Sequence, residues 1–533
     1  MGRLSITSNL NGLPLTVSQC FEIYLNRGIE LQELGQQQDA FDMYLQAIKL
    51  DLDNSNGYSL ITQFLSDVNT YELNSHRLKE CFILLLERND ITHRYLFQTF
   101  KTLYDKSCDY SEDWVFLKSL KKIVFRDIEW EILLTEQRKK FCNTIDCDFT
   151  EWELQFLIAL GEQCFMNEYC FIVSDEENII LNEIISKDNL NEKYLSLISC
   201  YFPLYKILDY VPHSTNDSFN ELINLQLLEP LKEIELSNDI KKIGSINNSV
   251  SKEVKIFYEE NPYPRWRYSS TYKENKTSAN NIIGMEIYPN VVDLDIGSRI
   301  LIAGCGTGEQ ILHAQRYQDS KITAIDLSLS SLSYAKRKVD EYHIDNVEII
   351  QLDILDLGLL NNKFDIIECG GVLHHMDNPF DGLKSLVDSL EDSGVIALSL
   401  YSEFGRRDIT NLRNNIKDKD VSNFRKDFID GKYEEFSWLE NFPDFYSTSE
   451  CCDLCFHVKE HYFNIQKLSR MLEINQLNFL GFLLPQKIKS LYKNYFPEDK
   501  KQTNLQNWAK FEENHPDTFR RMYQFWVSKI INN

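Results

Sequence analysis

RILIAGCGTGEQ, residues Arg299 to Gln310, runs from an apolar, β-rich stretch into three glycines spaced G-x-G-x-G and then opens a helix. Gly304, Gly306 and Gly308 permit positive φ and close backbone approach, and a helix starting near Thr307 aims free N–H groups at whatever lies over the turn. The pattern is that of a turn cradling a nucleotide, and alone it is weak evidence. KITAIDLS, Lys321 to Ser328, reads as a second buried strand ending in an acid, Asp326, eighteen residues beyond Gly308. An acid at that strand tip accepts both hydrogen bonds of a ribose diol. Dehydrogenases share this much, but they usually space the last glycine one residue further, and nothing downstream reads as a second mononucleotide half.

VEIIQLDI, Val347 to Ile354, reads as a third strand, and FDIIECGGVLHH, Phe364 to His375, as a fourth that carries Gly370 and Gly371 at its tip. With four motifs in this order, the sequence resembles the class I methyltransferases that use S-adenosylmethionine. LIAGCGTG matches their glycine loop, AIDLS their ribose-binding strand end, QLDIL their adenine edge and FDIIECGGVLHHMDNP their fourth strand. The resemblance implies an α/β fold with a Rossmann-like, seven-stranded core, to which an N-terminal all-α repeat-like domain and a helical lid insertion are added. It implies that Asp326 holds the ribose, that Asp353 and Ile354 border the adenine, and that the loop from Gly304 to Gly308 faces the methionine part, whereas the helical domain and the lid are read from the spacing and polarity of the flanking segments. The cofactor-binding set on this reading is Tyr263, Arg265, Trp266, Gly304, Cys305, Gly306, Thr307, Gly308, Gln310, Asp326, Leu327, Ser328, Asp353, Ile354, Gly370 and Gly371. A Rossmann-like core without a cofactor is the bland alternative, because one fold hosts many functions.

The chain has 533 residues, more than one hydrophobic core organises, and 43% of them are apolar. No stretch approaches twenty apolar residues. The start, MGRLSITSNLNG, lacks a basic-apolar leader and has Ile6 where myristoylation needs Ser or Thr. Thirteen scattered cysteines fit reduced, buried thiols rather than a disulfide framework. Together these features predict a cytoplasmic protein without membrane insertion. The net charge of −25 repels a phosphate backbone, which disfavours nucleic acid as partner. Acidity fits either simple solubility or a basic protein partner.

Near the N-terminus, Tyr24, Gly28, Leu31, Ala40, Tyr44 and Ala47 follow the spacing of a tetratricopeptide helix pair, although Leu52 stands where that family has a helix-ending proline. Residues 1–236 therefore read as an α-helical, tetratricopeptide-like domain, with a plain helical bundle used for homodimerisation or rigidity as the alternative. The polar stretch 237–251 reads as a linker and 252–402 as the methyltransferase core with a closing helix. Residues 403–476 read as a lid that binds the acceptor, and 477–533 as strands completing the sheet.

In VKIFYEENPYPRWRY, Phe257 and Tyr258 fall on a short helix, and two prolines force a turn that projects Tyr263, Arg265 and Trp266. A similar NPYPRW segment recurs in bacterial proteins joining tetratricopeptide repeats to this domain, which is the fusion family the chain resembles. Arg265 then suits the cofactor carboxylate, and the aromatics suit the sulfonium or a cationic acceptor; a mere hydrophobic cork is the alternative. Methyl transfer needs alignment and exclusion of water, with a base only for a protonated acceptor. His375, directly after the fourth strand, is the first candidate base, followed by Tyr258 and Glu403. The strand ends E-C-G-G rather than in an Asn/Asp-Pro-Pro-aromatic tetrad, which disfavours amide or adenine N-methylation.

Cys452, Cys455, His457 and His461 crowd into ten residues with no distant second pair, so no metal is expected there. Glu460, His461 and His457 read instead as acceptor-side groups or lid hydrogen bonds. The Asn, Ile and Lys bias and the domain mix are also similar to rickettsial lysine methyltransferases that modify an outer-membrane protein, which implies N-methylation of a protein. A small-molecule methyltransferase and a non-catalytic scaffold that senses the cofactor are the competing functions.

Overall fold

The computed structural model describes residues 15–107, 110, 112–270, 276–287, 294, 297–417 and 420–530. The leader and myristoylation readings, which concern residues 1–12, lie outside the described residues. The chain divides into two compact units, Met1–Leu227 with Trp266–Asn275, and Leu228–Arg265 with Lys276–Asn533. Among the described residues no helix is long and apolar enough to cross a membrane.

The first unit is helical throughout. Its first helix, Val17–Glu33, starts at a capping box made by Thr16 and Gln19, and packs on Gln37–Leu50. Close approach is possible because Gly28 has no side chain: a Cβ there would lie 2.7 Å from the Tyr44 ring. Tyr44 Oη also donates to Gln32 Oε1 at 2.8 Å. Gly28, Leu31, Ala40, Tyr44 and Ala47 are buried, Tyr24 is half-buried and Leu52 is exposed. A continuous apolar core then runs from Phe21 to Leu227. The segment after the NPYPR sequence belongs to this unit: Arg267 donates to Lys121 O at 2.7 Å and pairs with the fully buried Glu162 at 2.5 Å.

The second unit is built on a mixed sheet of eight strands: β1 (Lys241–Lys242), β2 (Arg299–Ala303), β3 (Lys321–Asp326), β4 (Val347–Gln351), β5 (Phe364–Gly370), β6 (Leu390–Tyr401), β7 (Leu477–Phe482) and β8 (Met522–Lys529). Their spatial order is β1-β4-β3-β2-β5-β6-β8-β7. The first six are parallel, and β8 runs antiparallel to both its neighbours. Parallel strands covered on both faces need continuous apolar runs, which ILIA, ITAI and IIEC supply, and separate apolar clusters line the two faces. Strand order reverses at β2, so the crevice for a ligand opens at the carboxyl ends of β2, β3, β4 and β5.

Three boundaries differ from the sequence reading. The expected linker 237–251 contributes β1, which pairs with β4 and adds an eighth strand to the expected seven, and its end starts the helix Ser249–Glu260. Helix Glu229–Leu236 groups with the second unit rather than with 1–227, because Arg337 on the helix Leu329–Glu341 pairs with Glu229 at 3.0 Å and with Glu233 at 2.8 Å. The helix after the glycine loop is short, Glu309–His313, so its dipole contributes less than a long helix would. Among the described residues, four α-helices, Arg407–Asn415, Val421–Ile429, Thr448–Phe456 and Ile465–Ile474, and two 3₁₀ helices, Glu434–Asn441 and Pro443–Tyr446, form the insertion between β6 and β7.

Candidate active site

The three loop glycines do different work. Gly304 has φ +77°, and a Cβ there would meet Val372 at 2.3 Å; Gly308 has φ +89°, and its Cβ would meet Ala335 at 2.7 Å. Gly306, at φ +50°, brings the backbone against the carbonyl oxygen of Tyr263, 2.5 Å from where a Cβ would stand. Thr307 is buried; its hydroxyl donates to Pro264 O and its N–H to Tyr263 O at 3.4 Å. The glycine turn thus holds the NPYP segment as the second wall of a cavity of about 340 Å³, a size that suits a small-molecule cofactor.

Gly304, Cys305, Gly306 and Gln310 line the floor of this cavity, Asp326 with Leu327 and Asp353 with Ile354 one end, and Gly370, Gly371 and His375 the other. Tyr258 and Tyr263 line it from the facing segment. Going from the β4 tip to the β6 tip takes four strand steps, about 19 Å, which suits an extended nucleoside conjugate. Asp326 Oδ2 accepts from Gly306 N at 2.9 Å and Oδ1 from Ser328 N at 3.0 Å; burial pushes its carboxyl up against these bonds. Gln310 Oε1 is buried without a hydrogen-bond partner among the described residues, and it borders the cavity. An unpaired amide oxygen, backbone turns at positive φ and an acid at the β3 tip make a donor and acceptor set that fits an aminoacyl nucleoside.

Six residues of the sequence reading are placed elsewhere. Trp266 is buried and groups with the first unit. Arg265 sits 5.9 Å from the Tyr334 ring, outside the cavity lining. Thr307 and Gly308 face the protein, as described above. Ser328 caps the helix Leu329–Glu341 by accepting from Ser331 N, and donates to Tyr258 O at 3.0 Å. Glu403 accepts from Asn464 Nδ2 at 2.9 Å and lines a separate cavity with Arg407 and Glu512.

The insertion supplies what the motifs did not show. Asp453, on helix Thr448–Phe456, enters the cavity and accepts a 2.7 Å hydrogen bond from Tyr258 Oη. Burial is the main reason its carboxyl is pushed up to about 7. Burial also pushes the phenols of Tyr258, Tyr263 and Tyr401 well up, which keeps them neutral donors. His457, the residue after that helix, lies against His375 with ring centres 3.6 Å apart and planes tilted by 32°, and both Nδ1 atoms lie 2.8 Å from Lys459 O. Burial pushes His375 down to about 4 and His457 down to about 2, so both imidazoles are neutral. Glu460 is held by Arg406 at 2.6 Å and Arg413 at 2.7 Å, and Arg406 in turn stacks 3.9 Å over Tyr401.

This arrangement is anchored by main-chain pairing. Phe463 N donates to Tyr401 O at 2.9 Å, Glu403 N to Phe463 O at 2.7 Å and His461 N to His374 O at 2.7 Å. The four residues considered for zinc do not form a cluster: Cys455 hydrogen-bonds to Cys451, and His461 Nε2 faces the carbonyls of Met376 and Asp377. The donor atoms of His375, Asp453 and His457 do lie within 4.8 Å of one another.

Residues 300–394 match a family described as a methyltransferase domain. An uncharacterized protein of Synechococcus sp. is 30% identical over 275 residues, which are 45% of this chain and 61% of that protein. A malonyl-[acyl-carrier protein] O-methyltransferase of Acetivibrio thermocellus is 34% identical over 137 residues, 25% of this chain and 45% of that one. The solved structure of PKMT2 from Rickettsia typhi aligns with 50% of this chain and 55% of its own, at 21% identity and a TM-score of 0.38. The chain thus spans less than two thirds of the length of these relatives. Residues 300–394 carry a methyltransferase domain.

Proposed function

We propose that the protein methylates an amine, and that the amine is a lysine side chain of a protein acceptor. The observation that carries this reading is the far end of the cavity, where Asp453 and Tyr258 are hydrogen-bonded at 2.7 Å beside the rings of Tyr263 and Tyr401. A carboxylate flanked by aromatic faces attracts an ammonium group and repels a carboxylate acceptor. Asp326 and Asp353 are assigned to the ribose and adenine, Gly304 to Gly306 to the methionine part, and the β5 and β6 tips to the reacting end. When bound, S-adenosylmethionine supplies an electrophilic methyl group on a sulfonium. The protein's part is alignment and dehydration: the Tyr258 and Tyr263 wall covers the glycine turn, and His375 closes the opposite side.

A macromolecular acceptor is favoured by the helical insertion that delivers Asp453, and a basic one by the net charge of −25. The same charge argues against nucleic acid. The helical unit serves on this reading as a tetratricopeptide-like acceptor platform, and the enzyme acts in the cytoplasm.

The test is incubation of the full chain with methyl-labelled S-adenosylmethionine and a cell lysate, separated into protein, nucleic acid and small molecules, followed by amino-acid analysis of the protein. Label in N-methyllysine is the expected result. Label confined to small molecules, or released from protein by mild base as an ester would be, contradicts it.

A further inference from the structure

We infer that Asp453 is the group that takes the proton from the acceptor ammonium, held in position by Tyr258 and bordered by the paired imidazoles of His375 and His457. The inference rests on the amine reading above. The sequence alone points to His375, Tyr258 or Glu403, and the structure argues against each as the proton acceptor. Glu403 lies in another cavity. Tyr258 already donates its proton to Asp453, and its phenol is pushed well up, so it gives up that proton poorly. His375 is in place but pushed down to about 4, a weak proton acceptor.

Asp453 is suited on three counts. Its carboxyl lines the cavity, and the bond from Tyr258 is the one hydrogen bond that it makes among the described residues, so acceptor capacity remains. The donor atoms of His375 and His457 lie within 4.8 Å of it, and His457 Nε2 is buried without a hydrogen-bond partner among the described residues. An unpaired nitrogen and an undersatisfied carboxylate facing one cavity fit a ligand that brings several N–H donors, as an amine does. Third, the charges around Asp453 are otherwise settled. Tyr258, Tyr263 and Tyr401 are pushed up and His375 and His457 down, so all five stay neutral near pH 7; Glu460 is paired with Arg406 and Arg413, and Asp444 adds a more distant negative charge. Asp453, pushed up to about 7, changes charge in the working range.

The atoms balance without a further reactant. The ammonium loses a proton to Asp453, and the freed nitrogen lone pair forms the N–CH₃ bond. The C–S bond breaks with its electron pair staying on sulfur, and the product is a methylated ammonium. The proton on Asp453 leaves to water.

Two probes test this without an identified acceptor: S-adenosylhomocysteine, and sinefungin, which carries an amine in place of the methyl sulfonium. For the wild-type full chain, calorimetry should show sinefungin preferred by about tenfold or more near pH 8, with the preference shrinking as Asp453 is protonated near pH 6. Asp453→Asn should lose the preference at both pH values while binding S-adenosylhomocysteine within about threefold of wild type, which also shows that it is folded. A wild-type preference independent of pH, or one kept in Asp453→Asn, overturns the proposal. So does one equivalent of divalent metal in purified wild type that is lost in Asp453→Asn, because a ligating carboxylate is not free to take the proton. If neither probe binds wild type, the cofactor site itself is wrong, which is a different failure.

Discussion

Asp326, half-buried, and Asp453, buried, are two carboxyl groups at opposite ends of one cavity, and their surroundings assign them different tasks. Asp326 is tied by two backbone N–H groups, so it is a fixed acceptor for hydroxyls. Replacing it with alanine should weaken S-adenosylhomocysteine binding by about tenfold or more, as loss of a charge-assisted pair of hydrogen bonds does; unchanged affinity would remove the ribose from this position. Asp453 has one hydroxyl partner and a raised proton affinity, which carries a cost in stability. Its folded-state value of about 7 lies above the unfolded value near 3.8. Its contribution to stability is therefore full at acid pH and is lost as pH rises through about 7. Asp453→Asn should be more stable than wild type near pH 8, by an amount on the order of a few kcal/mol, and no more stable near pH 4. Denaturant titrations at both pH values check this, and a pH-independent difference would show that burial is not what raises the group.

The glycine turn and the returning insertion segment each make a prediction as elements. At Gly306 a Cβ would strike the Tyr263 carbonyl at 2.5 Å, so Gly306→Ala must push the NPYP wall away and weaken cofactor binding by about tenfold or more. Gly35, in the first unit at φ +74° with nothing within 4 Å, is the control: Gly35→Ala should cost about 1 kcal/mol of strain and leave binding close to wild type. Equal effects in calorimetry would mean that strain alone is at work. The glycine turn and the acid at the β3 tip were legible in the sequence because parallel strands buried on both faces read as plain apolar runs, and their tips fall where those runs stop. Asp453 and Tyr401 were not, because their partnership depends on Phe463 pairing back onto Tyr401 after a sixty-residue excursion, which no local pattern encodes. Trp266 was misjudged for a related reason. It follows the wall residues Tyr263 and Pro264 directly, yet it begins a segment packed with the first unit.

At the scale of the whole chain, the helical unit is held by a large apolar core and a few buried charges. Glu162 is fully buried and pairs with Arg267 at 2.5 Å and Lys121 at 3.4 Å. Glu162→Ala removes a fully buried carboxylate that faces Arg267 and Lys121, the latter of which also pairs with Glu221 at 2.9 Å, and should destabilise this unit by about 3 kcal/mol, read as an earlier melting transition. The pocket of the second unit rests on other residues, so the same variant should still bind S-adenosylhomocysteine below that transition. That pocket is one cavity running from the β4 tip to the β6 tip, with a proposed nucleoside end at Asp326 and Asp353 and a reacting end at Tyr258, Asp453 and His375. A crystal structure of the full chain with S-adenosylhomocysteine tests that assignment most directly. Ribose hydroxyls should lie within hydrogen-bonding distance of Asp326, adenine beside Asp353 and Ile354, and the sulfur toward Tyr258 and Asp453. A ligand bound in the reverse sense, or outside this cavity, would contradict it.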